Sequence, residues 1–210
     1  MISVQEGQAR ILAQVTSVAP PQIVPLPEAL GRVLAEDVRA GIDVPPTDNS
    51  AVDGYAVLHA EVPAGGSREL RVVADLPAGA VLDGAIAPDE AVRIMTGAPM
   101  PAGADTVYLQ EVVERESHRI RVGPIPLGAN VRYRGEDVRA GEIVLGAGTV
   151  LRPQELGVAA SLGLPQLAVR QRPRVAIVST GDEVAEPGSP RKPGQIYDSN
   201  RFSLRGSVEA

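Results

Sequence analysis

Between residues 44 and 140 no apolar run survives long before a glycine- or proline-bearing turn cuts it. Such runs lie at residues 70–74, 91–95, 106–113, 119–122 and 131–133. Turns such as Pro63-Ala64-Gly65-Gly66, Pro77-Ala78-Gly79 and Pro101-Ala102-Gly103 separate them. Short strands joined in this way read as a compact all-β unit. Aromatic residues make up only 2% of the chain, so its core must be built from Ala, Val, Leu and Ile.

The flanks have a different texture. Ser3-Val4-Gln5-Glu6 fits a capping box, with Ser3 as cap and Glu6 reaching back. Val4, Ile11, Leu12, Val15 and Val18 recur at helical spacing up to Pro20-Pro21. A helical turn is expected at residues 28–30, a strand near 32–38 and another strand within 141–150. Pro153 at a first helical position and Gly163 beyond the last predict a helix over 153–162, followed by a strand at 164–169. Residues 174–178, Arg-Val-Ala-Ile-Val, form a continuous apolar run of the kind that makes a strand buried on both faces. Asp198 or Ser199 is placed to cap a helix through Phe202 and Leu204. One strand and one helix start are less than a parallel sheet requires, so the last segment reads as an incomplete α/β domain and the chain as a fragment.

Charge and composition exclude several function classes. A net charge of -6 disfavours a binder of phosphate backbones. The shortage of aromatics removes the stacking platforms used on single strands, so no nucleic-acid partner is expected. With no cysteine there is no disulfide, thiolate zinc site or cysteine nucleophile. His59 and His118 are isolated, which argues against a histidine metal site or a Ser-His-Asp triad. No phosphate-binding loop or dinucleotide fingerprint occurs. Neither a signal peptide nor a membrane span is visible, so no membrane association and a cytoplasmic location are expected.

Four clusters set polar groups on apolar ground. In the first, residues 48–54, Asp48 and Asp53 flank a small-residue turn; this is either an Asx turn or a pair of carboxylates held for a metal or anionic ligand. The second, residues 93–99, ends a strand at Thr96, where Gly97 lets backbone approach a ligand closely, as an ordinary strand end also would. In the third, Arg132 and Arg134 would project from one face of a strand, followed by Gly135, Glu136 and Asp137; two guanidiniums so placed can clamp an oxyanion or simply form surface ion pairs. The fourth, Ser179-Thr180-Gly181-Asp182-Glu183, follows a predicted parallel strand, where open α/β sheets bind ligands, although a plain turn is also compatible.

The stretches DNSAVDGYAV, RIMTGAPMPAGAD, RYRGEDVRAGE, ASLG, RPRVAIVSTGDE and GQIYDSNR occur in one order. Together they resemble the MoeA family of molybdopterin molybdenumtransferases, which includes the E domain of gephyrin. The resemblance implies an α+β, multidomain protein. A linker domain split between 1–44 and 141–172 would carry an inserted β-rich lobe at 45–140. The start of an α/β molybdopterin-binding domain would occupy 173–210. It implies insertion of molybdate into adenylylated molybdopterin with release of AMP, involvement of Mg²⁺, a homodimer, and other molybdenum-cofactor biosynthesis proteins as partners. Motif by motif, it carries catalytic roles onto Asp53, Thr96, Asp137 and Glu183. Substrate binding falls on Arg132, Arg134, Ser179, Thr180, Gly181 and Asp182, and metal binding on Asp53 and Asp137. Val52 stands where the family has Met. The family's glycine-rich pterin-phosphate loops and C-terminal barrel are not found, so these 210 residues alone are expected to be inactive. A non-catalytic scaffold and a generic β-rich binding domain are the competing classes; the retained acids favour enzyme ancestry.

Overall fold

The computed structural model describes residues 2–15, 19–62 and 64–209. In chain order its elements are α1 (Val4–Leu12), β1 (Pro21–Pro25), β2 (Val38–Arg39), β3 (Asn49–Ser50), β4 (Gly54–Val57), β5 (Arg68–Leu76), β6 (Glu90–Ile94), β7 (Thr106–Leu109), β8 (Glu114–Glu116), β9 (Arg119–Val122), β10 (Val131–Arg132), β11 (Ile143–Leu145), α2 (Pro153–Ser161), β12 (Gln166–Arg170), β13 (Val184–Ala185), β14 (Ile196–Tyr197) and α3 (Asn200–Glu209). Short 3₁₀ turns occupy Leu26–Ala29, His59–Glu61 and Gln110–Val112. The protein is mixed α/β with few helices. It divides into two compact units, residues 23–169 and residues 1–22 with 170–210.

The larger unit holds a six-stranded sheet in the order β7-β4-β6-β5-β9-β8. Every run expected between residues 70 and 122 contributes to it. Both faces of the sheet are packed. Tyr55, Val57, Leu70, Ala91, Tyr108, Ile120 and Val122 fill one side. Ala56, Leu76, Ile86, Val92, Ile94, Ala98 and Val107 fill the other. Neighbouring residues of a strand point to opposite faces, which is why all four residues of β4 are buried. Leu70 and Leu76 are an even number of residues apart yet lie on opposite faces. A register irregularity between Val72 and Ala74 inserts the extra residue that flips the side. The run at 106–113 ends its strand at Leu109 and continues as a 3₁₀ turn.

A third apolar cluster in this unit joins chain segments far apart in sequence. Val24, Ala29, Leu34, Val38 and Ala40 pack with Leu151, Ala159, Leu162, Leu167 and Val169. Around it β2 pairs with β11 and β1 with β12. The strand expected at 32–38 is reduced to β2 and two isolated bridges, Val33 to Val150 and Leu34 to Val169. α2 starts at Pro153 and stops before Gly163, whose positive φ of 74° closes the helix as expected. Glu155 Oε2 accepts from Arg152 N at 2.9 Å, half of a capping box. With the Arg152 guanidinium also bonded to it, the Glu155 carboxyl is lowered to about 2.

In the smaller unit Ser3 caps α1 by accepting from Glu6 N at 3.1 Å. The Glu6 carboxylate turns instead to Arg10, one helical turn on, so the reciprocal half of the expected box does not form. α1 ends at Leu12, and Val18 lies outside the described residues. The strand expected at 174–178 is not present. Those residues carry no ladder, and Val175 and Val178 are 55% and 79% exposed. A parallel strand is buried only when neighbours pair with both its edges, and among the described residues none pairs with this run. Among the described residues of this unit, the one parallel ladder is the two-residue contact of β13 with β14. Among the described residues no helix is long and apolar enough to cross a membrane.

Candidate functional site

Asp53 stands immediately before β4, and the register of that strand decides where its carboxylate goes. Gly54 lies opposite Ile94 of β6 and Leu109 of β7. The chain of β6 runs on past Ile94 to Thr96, and there Asp53 Oδ1 accepts from Thr96 N at 2.8 Å and from Thr96 Oγ1 at 2.7 Å. These two bonds, with nearby Arg93, hold the Asp53 carboxyl below its ordinary range. Gly54 is required for the arrangement, because a Cβ there would sit 1.8 Å from the Tyr108 carbonyl oxygen. Gly97, at φ 81°, turns the chain just after Thr96, and its amide donates to the Ser50 carbonyl.

The third cluster reaches the same place through β3. Val131 pairs with Ser50 and Arg132 with Asn49, while Asn49 bridges Pro99 on its other side. Residues 48–50 therefore lie between residues 97–100 and β10, and three of the four expected clusters are brought side by side. Arg132 Nη2 pairs with Asp137 Oδ2 at 2.5 Å, both side chains being about half exposed.

Two expectations need correction here. β10 stops at Arg132, so the two-residue alternation that would set Arg132 and Arg134 on one face does not extend to Arg134. The chain reverses instead, with Glu136 N donating to the Tyr133 carbonyl and Gly135 at φ 69°. Arg134 pairs with Asp43. The Asx-turn alternative at Asp48 or Asn49 does not form either. Asn49 is in a strand, Asp48 Oδ1 accepts from Arg134 N at 2.7 Å, and the local turn bonds come from Ser50 Oγ with Val52.

The fourth cluster belongs to the smaller unit. Val184 N donates to the Gly181 carbonyl, and Ile196 N to the Glu183 carbonyl. Gly181 has φ 136°, and a Cβ on it would meet the Glu183 carboxylate, which folds back over it. Ser179 hydrogen-bonds to Asp198, which is buried and also accepts from Arg201 N at 3.0 Å. These contacts lower the Asp198 carboxyl, the Ser179 bond most. Asp182 offers its carbonyl to Gln195, and its side chain and Thr180 are exposed.

Asp43 and Asp48 are structural participants that the sequence did not single out as ligands of the third cluster. Their partners in residue 134 lie 91 and 86 positions away, so no local pattern announces them. Among the described residues no group of three or more His, Asp or Glu side chains is placed to hold a metal ion. A concavity of about 680 Å³ lies along β8 and β9, lined by Glu69, Glu114, Arg115, His118 and Arg121 among others, and none of the four clusters lines it.

The family described as the MoeA N-terminal region (domain I and II) matches residues 2–163. Molybdopterin molybdenumtransferase 2 of Mycobacterium tuberculosis is 45% identical over 99% of this chain and 52% of its own length. Molybdopterin molybdenumtransferase of Nostoc is 42% identical, covering 90% of this chain and 44% of its own. Among solved structures, the molybdopterin biosynthesis MoeA protein of Pyrococcus horikoshii OT3 superposes with a TM-score of 0.92 at 38% identity, over 100% of this chain and 57% of that one. The chain thus spans about half the length of the curated relatives it matches.

Proposed function

The chain belongs to the MoeA N-terminal family, and on that premise we propose that it forms part of a molybdopterin molybdenumtransferase. The reaction is insertion of molybdate into adenylylated molybdopterin with release of AMP, in molybdenum cofactor biosynthesis. The observation that carries this reading is the Asp53–Thr96 pair set beside the Arg132–Asp137 loop by strand register. An ionised carboxylate fixed by two donors is a stable negative centre, and an exposed arginine next to it offers charge to an anion. Carboxylates repel molybdate and phosphate directly. Asp53 and Asp137 therefore act on such substrates through a donor or a cation between them.

Asp53 and Asp137 would hold Mg²⁺, completed by water and substrate phosphates, since the described residues supply no three-ligand cage. When bound there, Mg²⁺ would neutralise and polarise the phosphoanhydride. Arg132 offsets charge on the leaving phosphate, and Thr96 keeps Asp53 ionised and aimed. Water attacks the AMP phosphorus, the P–O bond to the molybdopterin phosphate breaks, and AMP leaves with the new oxygen; a molybdate oxygen can replace that water if its Mo–O bond then breaks. Glu183 is a further catalytic acid, and Ser179, Thr180, Gly181 and Asp182 beside it form a second substrate-binding segment. In this reading residues 1–44 and 141–172 are a split linker domain and 45–140 an inserted β lobe. Residues 173–210 begin an α/β molybdopterin-binding domain. The division is supported by one apolar cluster drawn only from residues 24–44 and 138–169, and two drawn from 52–131. The protein works as a cytoplasmic homodimer.

The test is molybdate-dependent AMP release from adenylylated molybdopterin by the full-length protein. Asp53→Asn, which keeps the shape and removes the charge, is expected to lower the rate about 100-fold. An unchanged rate contradicts the role given to Asp53; no AMP release by the wild type contradicts the assigned reaction.

A further inference from the structure

Asp48 and Asp53 flank the turn just before β4, and only Asp53 faces Thr96. Asp48 has different partners. Its carboxylate accepts from Arg134 N, while its own carbonyl accepts from Met100 N at 2.9 Å. One residue therefore ties the stretch before β3 to both of its neighbours.

The position of that carboxylate matters because of what surrounds Arg134. The β10 ladder ends at Arg132, and the chain reverses before Asp137. Within the reversal Tyr133 N donates to the Glu136 carboxylate and Gly135 N to the Pro45 carbonyl. Arg134 N finds its acceptor in Asp48. The far side of the turn is held by Asp137 N on the Val44 carbonyl, and Asp43 accepts both from Arg134 Nε and from Ala140 N. The Asp43 side chain is 16% exposed, whereas Arg132 and Asp137 stay 39% and 50% exposed. Each arginine is thus ion-paired, Arg132 with Asp137 and Arg134 with the mostly covered Asp43, and the Arg134 side chain itself is 67% exposed. The Ala140 amide and the Arg134 guanidinium also depress the Asp43 carboxyl, which keeps it ionised.

We propose that Asp48 is a positioning residue: by holding the Arg134 amide, with Asp43 holding the Arg134 side chain, it fixes where the Arg132–Asp137 pair is presented to the anionic substrate. The proposal deepens the transferase reading and rests on it for the identity of that substrate. It assigns Asp48 the work of a hydrogen-bond acceptor, not of a charge or a metal ligand. An asparagine at 48 keeps an acceptor oxygen for the amide; an alanine does not.

The experiment compares Asp48→Asn with Asp48→Ala in the full-length protein. It reads hydrogen exchange at the Arg134 amide and the kinetics of molybdate-dependent AMP release. The expected result is an Arg134 amide protected in wild type and Asp48→Asn and unprotected in Asp48→Ala. Activity should stay close to wild type in Asp48→Asn, with kcat reduced about 10- to 100-fold in Asp48→Ala. Loss of activity in Asp48→Asn with the amide still protected would overturn the proposal, because charge and not position would then be what Asp48 supplies. Full activity of Asp48→Ala would overturn it too. Should Asp48→Ala fail to fold, the Asp48→Asn result still decides. If the wild type itself releases no AMP, the transferase reading fails, and the exchange difference at Arg134 alone decides whether Asp48 holds the loop.

Discussion

The β lobe and the stretch from residue 171 to 183 carry similar apolar runs and similar polar clusters, yet they have opposite fates. Ile94 at the end of β6 is fully buried, while Val178 in an equally apolar run is 79% exposed. The difference is not in the residues but in their neighbours. β6 lies between β4 and β5, whereas among the described residues nothing pairs with 174–178. An apolar strand sequence is a potential that only partner strands realise. The polar clusters follow suit. Asp53, Thr96, Arg132 and Asp137 are fixed by strand register, whereas Ser179 to Glu183 are held by turn bonds and by Asp198.

The contrast is broken most sharply by large-to-small substitution. Ile94→Ala is expected to lower stability by about 2–5 kcal/mol, through lost burial and a residual cavity. Val178→Ala should stay within about 0.5 kcal/mol. Equal effects in urea unfolding would show that residues 174–178 are as covered as β6.

A smaller but more local effect is expected of Gly54→Ala. Its Cβ would press on the Tyr108 backbone, which cannot rotate away as a side chain could. The expected loss is about 1–3 kcal/mol, with a shift of the Thr96 amide resonance as the Asp53 contact moves. A neutral Gly54→Ala would mean that β4 and β7 lie farther apart than described.

Thr96→Val removes one of the two donors to Asp53. The backbone donor, which lowers the Asp53 carboxyl most, remains. Carboxyl NMR titration should therefore find the Asp53 pKa raised toward, but still below, its ordinary value. No change at all would show that the hydroxyl does not engage Asp53.

The smallest effect concerns Glu155, which caps α2 in the other core of the larger unit. Its carboxyl lies at about 2 when folded against an ordinary 4.5. A depressed carboxylate contributes stability that is complete above about pH 4.5 and fades as pH falls through about 2. Glu155→Gln should therefore reduce the slope of stability against pH in that window and leave it unchanged near neutrality. An unaltered slope would place Glu155 outside the acid response.

Much of the lobe was legible in the sequence because glycine and proline mark where each short strand must stop. Gly163 likewise marked the end of α2. Pairing order was not legible. That β5 runs parallel to β6, or that a bulge near Val73 flips Leu76 to the opposite face from Leu70, depends on contacts no local pattern encodes. The run at 174–178 is apolar as a buried strand would be, yet no described residue pairs with it, because hydrophobicity reports a demand for cover and not the presence of a partner. In the site, Asp53, Thr96, Arg132 and Asp137 were marked by unusual polar residues at the ends of apolar runs. Asp43 was not, nor was the contact of Asp48 with the Arg134 amide, since their partners are reached only after the chain has returned through β10.

The convergence of residues 48–53, 96–99 and 132–137 on one anionic substrate is tested most directly by a crystal structure of the full-length protein with AMP and molybdate bound. The expected result is an oxyanion within hydrogen-bond reach of Thr96 or the Arg132 guanidinium, with the Asp48–Arg134 contact intact. Ligand density lying elsewhere, with Asp53 still on Thr96 and Asp137 still on Arg132, would contradict it.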